Sequence, residues 1–403
     1  MAHITKKFTA GRMDDATRSD CLVEFEPKTR GGITLALESK VVSLYGDSIR
    51  KELADACAAL GVVHAAFRIV DRGALPYVLG ARIEAVIRRA LPGTAGEFLL
   101  PGVVKTGARA ARSRLRRTRL YLPGNEPRFF PNAGLHAPDA IVLDLEDSVA
   151  PAEKDAARLV VRNALRGVDF YGAERMVRIN QGQQGMDDLR SVVPERPDVV
   201  VLPKCEDSQA VRDIASEIGK IEKQKRIAPG ALILPIIESA LGVVNAYPLA
   251  SASPRVCALA IGLEDYAADI GVERTAEGQE SLFARQTVLN AAKAAGVQAL
   301  DSVFSDVDDV AALRSAALRA RSLGFDGMGC IHPRQVDVIH AAFAPTAEEI
   351  RKAEQVVQAA REARERGSGV VALGSTMVDA PVVLRAQRTL RLAGMSEEQE
   401  GTR

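Results

Sequence analysis

From residue 119 onward, short apolar runs recur along the chain, and each ends on polar or turn-forming residues. RLYLPG occupies 119–124, AIVLDLED 140–147, RMVRIN 175–180 and DVVVLPK 198–204. ALILPIIE follows at 231–238, VCALAIGLED at 256–265, QALDSVFSD at 298–306 and GFDGMGCIHP at 324–333. Runs of this length predict buried strands. Segments with helical periodicity separate most of them, among them 152–165, 208–220, 240–250, 281–295 and 310–323. Eight strands alternating with helices predict an α/β chain of (β/α)8 barrel type, a TIM barrel. A doubly wound open sheet is the alternative, but it usually carries a glycine-rich phosphate loop after its first strand. LYLPGN is not such a loop, and the chain contains no GxGxxG or Walker A pattern.

The pattern before the barrel differs. CLVEFE (21–26) and ITLAL (33–37) read as strands around the turn PKTRGG. A helix is expected over 47–60 with Asp47 as its N-cap, then a strand over 64–70 and a second helix over 75–90. This order predicts a small two-layer α+β domain over 1–95. A linker over 96–114 leads into the barrel, 115–345. The stretch 105–119 carries seven cations and no acid. Without interleaved aromatics it reads as a solvated linker, not a nucleic-acid surface. Beyond the barrel, a C-terminal extension over 346–403 begins with a long charged helix. It continues through the strand VVAL and the loop GSTMVDAP, which presents Asp379, into a final helix.

Composition narrows the function. The 403 residues, 47% hydrophobic, suffice for two or three domains, and a net charge of +1 gives no field for nucleic acid or membrane surfaces. The first residues lack the apolar core of a signal peptide, and no run is long enough to span a bilayer, so a cytoplasmic protein is expected. The five cysteines, Cys21, Cys57, Cys205, Cys257 and Cys330, are odd in number and irregularly spaced. They read as reduced thiols, with Cys257 and Cys330 in the core. No HxxxH pair supports zinc.

In a parallel barrel the ligand site lies at the carboxyl ends of the strands. Those ends carry Asp144, Glu146 and Asp147, then Arg178 and Asn180, Lys204, Glu238, and Asp265. Taken singly, each acid reads as a solvated loop residue or a helix cap. On successive strand ends, Glu238 and Asp265 together predict two oxygen ligands for a hard divalent cation, Mg²⁺. Asp144, Glu146, Asp147 and Lys204 are expected to support that pair from behind. Arg178 is expected to fork onto a substrate carboxylate. Such a site suits carbon–carbon bond cleavage or formation beside a carbonyl, through an enolate. Lys204 could form a Schiff base with a keto substrate. The competing reading pairs it with Asp198 or the acidic strand ends, and nearby carboxylates, which keep a lysine protonated, favour pairing. His332, followed by Pro333, is assigned a positional role.

With these residues assembled, a family resemblance emerges. The segments LYLPGN, IVLDLEDSVAPAEKDAAR, VRIN, VVLPK, IIESALGVVNA, IGLEDY, ERTAEGQESLFARQ, GFDGMGCIHPRQ and GSTMVDAP resemble the citrate lyase beta subunit. That subunit sits in the HpcH/HpaI group of aldolases and lyases acting on acyl thioesters. The resemblance implies that Glu238 and Asp265 bind Mg²⁺, with Glu264 a bystander, and that Glu238 and Arg178 contact substrate. It implies that Arg117 meets substrate or thioester. It also implies that Asp379 is a catalytic acid reaching into a neighbouring subunit of a homotrimer or hexamer. YGDSIRKEL and DRGALPYVLGARIEAVIRRA are similar to the citrate lyase gamma subunit, an acyl carrier. In that carrier a serine two residues before an Asp, shortly after Ala-Gly, holds a phosphoribosyl dephospho-CoA group. Here Ala10-Gly11 is followed by RMDDATRSD, the position two before Asp20 is Arg18, and Ser19 is adjacent. Either Ser19 is modified in a shifted loop or the carrier is an unmodified docking module. GMGCIHP also resembles relatives that use free acyl-CoA. The expected reaction is Mg²⁺-dependent cleavage of a citryl-like 3-hydroxyacyl thioester into oxaloacetate and an acetyl thioester. The alternatives are a lyase on free citramalyl-CoA or malyl-CoA, and a non-catalytic subunit docking a transferase (alpha-type) partner.

Overall fold

A computed structural model describes residues 7–14, 16–102, 111–365, 371–373 and 376–394. They divide into two compact units, 1–339 and 340–403.

The first unit opens with β1 (Phe8–Gly11), β2 (Cys21–Pro27), β3 (Ile33–Ser39), α1 (Val42–Ala59), β4 (Ala65–Asp71) and α2 (Pro76–Ala90). The strands form one sheet in the order β1-β2-β4-β3, with only the β3–β4 pair parallel. Alternation on β2 buries Cys21, Val23 and Phe25, as a half-buried strand requires. The helix expected from Asp47 starts earlier, at Val42, so Asp47 lies inside it. Nothing from Val42 to Gly46 breaks the helix strongly enough to delay its start, and the N-cap residue, Val41, makes no side-chain cap bond. β1 is four residues long, too short for alternation to announce it.

α2 is buried from Tyr77 through Ile87, which a helix facing solvent on one side would not be. Its sheet covers one face and the barrel helix Lys154–Gly167 covers the other. Arg162 of that helix donates to Glu84 Oε1 at 3.1 Å and Oε2 at 2.8 Å, with both side chains buried. Asn163 bonds the Tyr77 carbonyl at 3.0 Å, and the Tyr77 hydroxyl donates to the Pro127 carbonyl at 2.9 Å. Arg89 reaches Asp155 at 2.6 Å. The N-terminal module is therefore seated on the barrel through buried polar contacts rather than held by a loose tether.

The barrel consists of β5 (Thr118–Pro123), β6 (Ala140–Asp144), β7 (Glu174–Arg178), β8 (Val199–Leu202), β9 (Leu232–Ile237), β10 (Ala258–Ile261), β11 (Gln298–Val303) and β12 (Gly327–Cys330). These are the eight runs of the sequence pattern, closed in chain order with every neighbour parallel. The lumen is packed with Val142, Met176, Val201, Leu234, Ile236, Ala260 and Leu300, which makes it a core rather than a pore. Gly327 is required where β12 closes on β5, because a Cβ there would stand 2.0 Å from the Arg116 carbonyl oxygen.

The solvated-linker expectation for the basic run is corrected over its described end. Arg116 is fully buried and forks onto Glu174 with two 2.7 Å bonds. Arg112 bonds the Pro254 carbonyl, Arg117 pairs with Asp139, and Arg119 lies in the barrel interior. Arg112 stays exposed, whereas carboxylates at the amino-terminal end of the barrel hold Arg116 and Arg117. Residues 103–110 of the run lie outside the described residues.

In the second unit, helices Ala347–Glu365 and Ala380–Leu392 pack around Ala353, Val356, Val378, Val383 and Ala386. A short ribbon of β13 (Val371–Leu373) and β14 (Thr376–Val378) joins them. All five cysteines are free and buried. Among the described residues no helix is long and apolar enough to cross a membrane.

Candidate active site

A cavity of about 280 Å³ opens at the carboxyl end of the barrel, lined by residues that include Arg119, Tyr121, Asp144, Arg178, Glu238, Asp265 and Ser302. Glu238 follows β9 directly and is 6% exposed. Its Oε2 accepts the Lys204 backbone N–H at 2.8 Å. Burial pushes its carboxyl up to about 7, the Asp265 charge adds to the rise, and the Lys204 N–H and the Arg178 charge work against it. Gly262, at the end of β10, makes room for it. A Cβ at Gly262 would come within 2.6 Å of Glu238 Cγ and Oε1.

The helix after β10 brings Glu264 and Asp265 to the rim. Glu264 is held by Arg274 and by Ser305 Oγ at 2.7 Å. Asp265 makes no hydrogen bond or ion pair among the described residues, and it lines the cavity beside Glu238. Neither Glu238 nor Asp265 has a cation within ion-pair distance among the described residues. Two unpaired carboxylates on one cavity, with no nitrogen or sulfur donor, are the donor set a hard divalent cation takes while keeping positions open for water or substrate oxygens. Larger groupings of three or more His, Cys, Asp or Glu are absent among the described residues, so a closed all-protein cage is not formed.

The supporting acids form a network with the two cations. Arg178 forks onto Asp144, Nε to Oδ1 at 2.7 Å and Nη2 to Oδ2 at 2.8 Å. Its Nη1 lies 3.2 Å from Glu146, and its guanidinium sits 5.5 Å over the Tyr121 ring. The fork expected to face a substrate carboxylate is thus taken by Asp144, and with Nη1 turned to Glu146 the outer N–H of Nη2 is left for substrate. Burial opposes ionisation of Asp144, but the Arg178 bonds and charge hold it below the usual carboxylate range. The backbone N–H groups of Glu146 and Ser148 complete its shell. Both Asp144 oxygens are thereby engaged within the protein.

Lys204 Nζ lies 2.8 Å from Glu146 and 3.0 Å from Asp147. Burial works against its charge, yet these two acids hold its pKa well above the lysine range. A lysine so fixed is a poor Schiff-base nucleophile. The pairing with acidic strand ends is the one found, while Asp198 turns to Arg175 instead. The Lys204 backbone has φ 50°, a left-handed conformation unusual for a non-glycine residue, and that turn aims its N–H at Glu238.

Other expected residues lie elsewhere. Arg117 precedes β5 at the opposite end of the barrel and forks onto Asp139 at 2.9 Å, so the structure does not bring it to the cavity. The cation that β5 does deliver is Arg119. His332 Nδ1 accepts the Arg334 N–H at 3.2 Å, a positional role. Asp379, in the second unit, caps the helix Ala380–Leu392 through the Val382 N–H at 3.2 Å. Ser19 stands in a left-handed turn (φ 55°) before β2, its N–H on the Arg72 carbonyl. Its neighbour Asp20 is buried and locked by Arg82 at 2.7 Å. Arg12, in the same loop, pairs with Glu126 after β5.

The family model for HpcH/HpaI aldolase/citrate lyase matches residues 117–333. The chain belongs to this family. A second family model, the acyl-carrier type described as malonate decarboxylase delta subunit (MdcD), matches residues 6–90. The citrate lyase subunit beta of Escherichia coli strain K12 is 42% identical over 302 residues, covering 73% of this chain and 100% of that protein. The mitochondrial citramalyl-CoA lyase of Homo sapiens is 32% identical over 295 residues, 70% of this chain and 87% of that protein. The crystal structure of the protein CitE from Mycobacterium tuberculosis in complex with magnesium, acetoacetate and coenzyme A is similar, with TM-score 0.58 and 33% identity. It covers 70% of this chain and 100% of that one. The chain is a carbon–carbon lyase with an acyl-carrier-like module ahead of its barrel.

Proposed function

We propose that this enzyme cleaves a citryl-like 3-hydroxyacyl thioester into oxaloacetate and an acetyl thioester at the Glu238–Asp265 rim, with Mg²⁺. The observation that carries the reading is the pair of carboxylates, unpaired among the described residues, on one cavity beside Arg178. The CitE structure with magnesium, acetoacetate and coenzyme A supports it. Bound there, Mg²⁺ supplies Lewis-acid stabilisation of the keto acid's oxygens. The protein's own groups do the rest. Lys204 N–H fixes the Glu238 carboxylate, and Asp144 fixes the Arg178 plane so that its outer N–H meets substrate oxygen. The β-hydroxyl loses its proton to a base, the carbinol carbon becomes the keto carbon, and the C–C bond pair passes to the thioester α-carbon. That enolate is then protonated, and Asp379 of a second copy is the proposed donor, which requires a homotrimer or hexamer.

Two delivery routes remain distinct. A thioester arm on Ser19 is favoured by the seating of the module, since Arg12 in the Ser19 loop pairs with Glu126 on the strand-end side of β5. Free CoA esters such as citramalyl-CoA or malyl-CoA are favoured by the CoA-bound CitE structure and the citramalyl-CoA lyase relative. Intact-mass measurement on protein from its native host separates them. A prosthetic-group mass on Ser19 is expected for the carrier route, together with need of a transferase (alpha-type) subunit. A panel of citryl, citramalyl and malyl thioesters, with Mg²⁺ and with EDTA, tests the reaction. The expected result is cleavage of the citryl ester that EDTA abolishes, and turnover unaffected by EDTA sinks the metal reading.

A further inference from the structure

Arg119 is a charged side chain on this cavity whose chemistry the reaction above leaves unused. It lies on β5 two residues before Tyr121, on the same inward face and one layer deeper in the lumen. Its register neighbours are Ala140 on β6 and Gly329 on β12, both small. It is 2% exposed. Nη2 donates to the Asp301 carbonyl at 3.0 Å, while Nε and Nη1 are buried without any partner. The nearby Asp301 carboxylate is taken by Arg285. No carboxylate lies within ion-pair distance of Arg119 among the described residues.

A guanidinium never gives up its proton in a protein, so this is a permanent buried charge with free donors and no counter-ion. Arg119 is among the residues lining the cavity of Glu238 and Asp265, with its Nε and Nη1 themselves buried. We propose that Arg119 is the recognition site for a second substrate carboxylate, and that it makes the enzyme selective for a dicarboxylic keto acid as the released half. This rests on the reading of Glu238 and Asp265 as the metal end of the site. The thioester points out of the barrel mouth, the keto and α-carboxylate oxygens meet the rim, and the remaining substituent on the keto carbon points down the lumen. In a citryl substrate that substituent ends in a carboxylate. In citramalyl it is a methyl group and in malyl a hydrogen, and either would leave Arg119 uncompensated. A site whose buried donors need an anion rejects analogues that lack it far more strongly than an apolar pocket rejects a missing methyl.

The test uses full-length protein with Mg²⁺, oxaloacetate and pyruvate as probes, and calorimetric binding, which is independent of turnover. Wild type is expected to bind oxaloacetate about 10- to 100-fold more tightly than pyruvate. Arg119→Met, matched in length but uncharged, removes that preference by weakening oxaloacetate alone. Arg119→Lys keeps the charge without the fork and falls between, and it carries the test if the Met variant does not fold. Equal weakening of both acids in either variant, or no preference in wild type, overturns the proposal. Initial rates on citryl and citramalyl thioesters separate the two readings. Preference in binding with no cleavage of any thioester overturns the lyase reading and leaves the subsite standing. Cleavage with no such preference overturns the subsite alone.

Discussion

Glu238→Gln and Asp265→Asn are each expected to lower kcat/KM for thioester cleavage by at least about 1000-fold, because each removes half of a two-carboxylate cation site. Calorimetric titration with Mg²⁺ should show the same loss directly. The two variants differ in what they do to the fold. Asp265 is exposed and unpartnered, so its replacement should leave the melting temperature unchanged. Glu238 is buried with its carboxyl raised to about 7. An acid whose folded pKa lies above its unfolded value costs stability as pH rises from the unfolded value to the folded one. Without metal, Glu238→Gln should therefore melt higher than wild type at pH 8 and differ little at pH 5. Gln keeps an acceptor for the Lys204 N–H, so the turn that aims it is preserved. Gly262→Ala should mimic the activity loss with both carboxylates still present, since its Cβ displaces Glu238. Either acid variant keeping full Mg²⁺-dependent activity would remove the pair from the mechanism.

The barrel was legible because each strand is a short apolar run whose polar end coincides with the rim. All eight expected runs contain a strand, and their overshoot falls on the loops that hold Asp147 and Lys204 and on the start of the helix that holds Asp265. The choice of Asp265 over Glu264 is supported by Glu264 being tied to Arg274 and Ser305. The basic run was read less well. Counting its charges treats seven cations as equivalent, whereas the β-strand period assigns them different faces. Arg119 shares its face with Tyr121 and enters the lumen, while Arg117 falls outside the strand at the far end of the barrel. That alternation was present in the sequence and would have found Arg119. The Asp144 fork on Arg178 was not legible, because it depends on the register between β6 and β7 that sets Asp144 beside Arg178. α2 follows the same logic. A lone helix with one apolar face says nothing of a second surface, and the Glu84–Arg162 and Arg82–Asp20 pairs show that its polar residues are buried as well.

The register of Asp144 against Arg178 yields a further expected result. Arg178→Met should cost about 3–5 kcal/mol of stability at pH 7, the range for stripping one partner from a buried ion pair, and lower turnover more than about 100-fold. In wild type the Asp144 carboxyl is held below its usual range. It contributes stability above its unfolded pKa that is lost as pH falls through the folded value. Without Arg178, burial, the largest influence on Asp144, is opposed only by the bonds from Ser148 and the Glu146 N–H, and the shift is expected to reverse sign. The variant should then lose stability as pH rises above about 4 and regain it on acidification, opposite to wild type. Melting curves from pH 4 to pH 8 read this directly. Asp144→Asn added to Arg178→Met removes the stranded charge, so the double variant should recover most of the melting temperature and none of the turnover. Recovery of turnover in the double variant would mean that Arg178 serves only to neutralise Asp144. A melting temperature in the single variant that follows wild type across that pH range would mean that Asp144 finds another counter-charge. The network as it stands does not provide one, because Lys204 is already divided between Glu146 and Asp147.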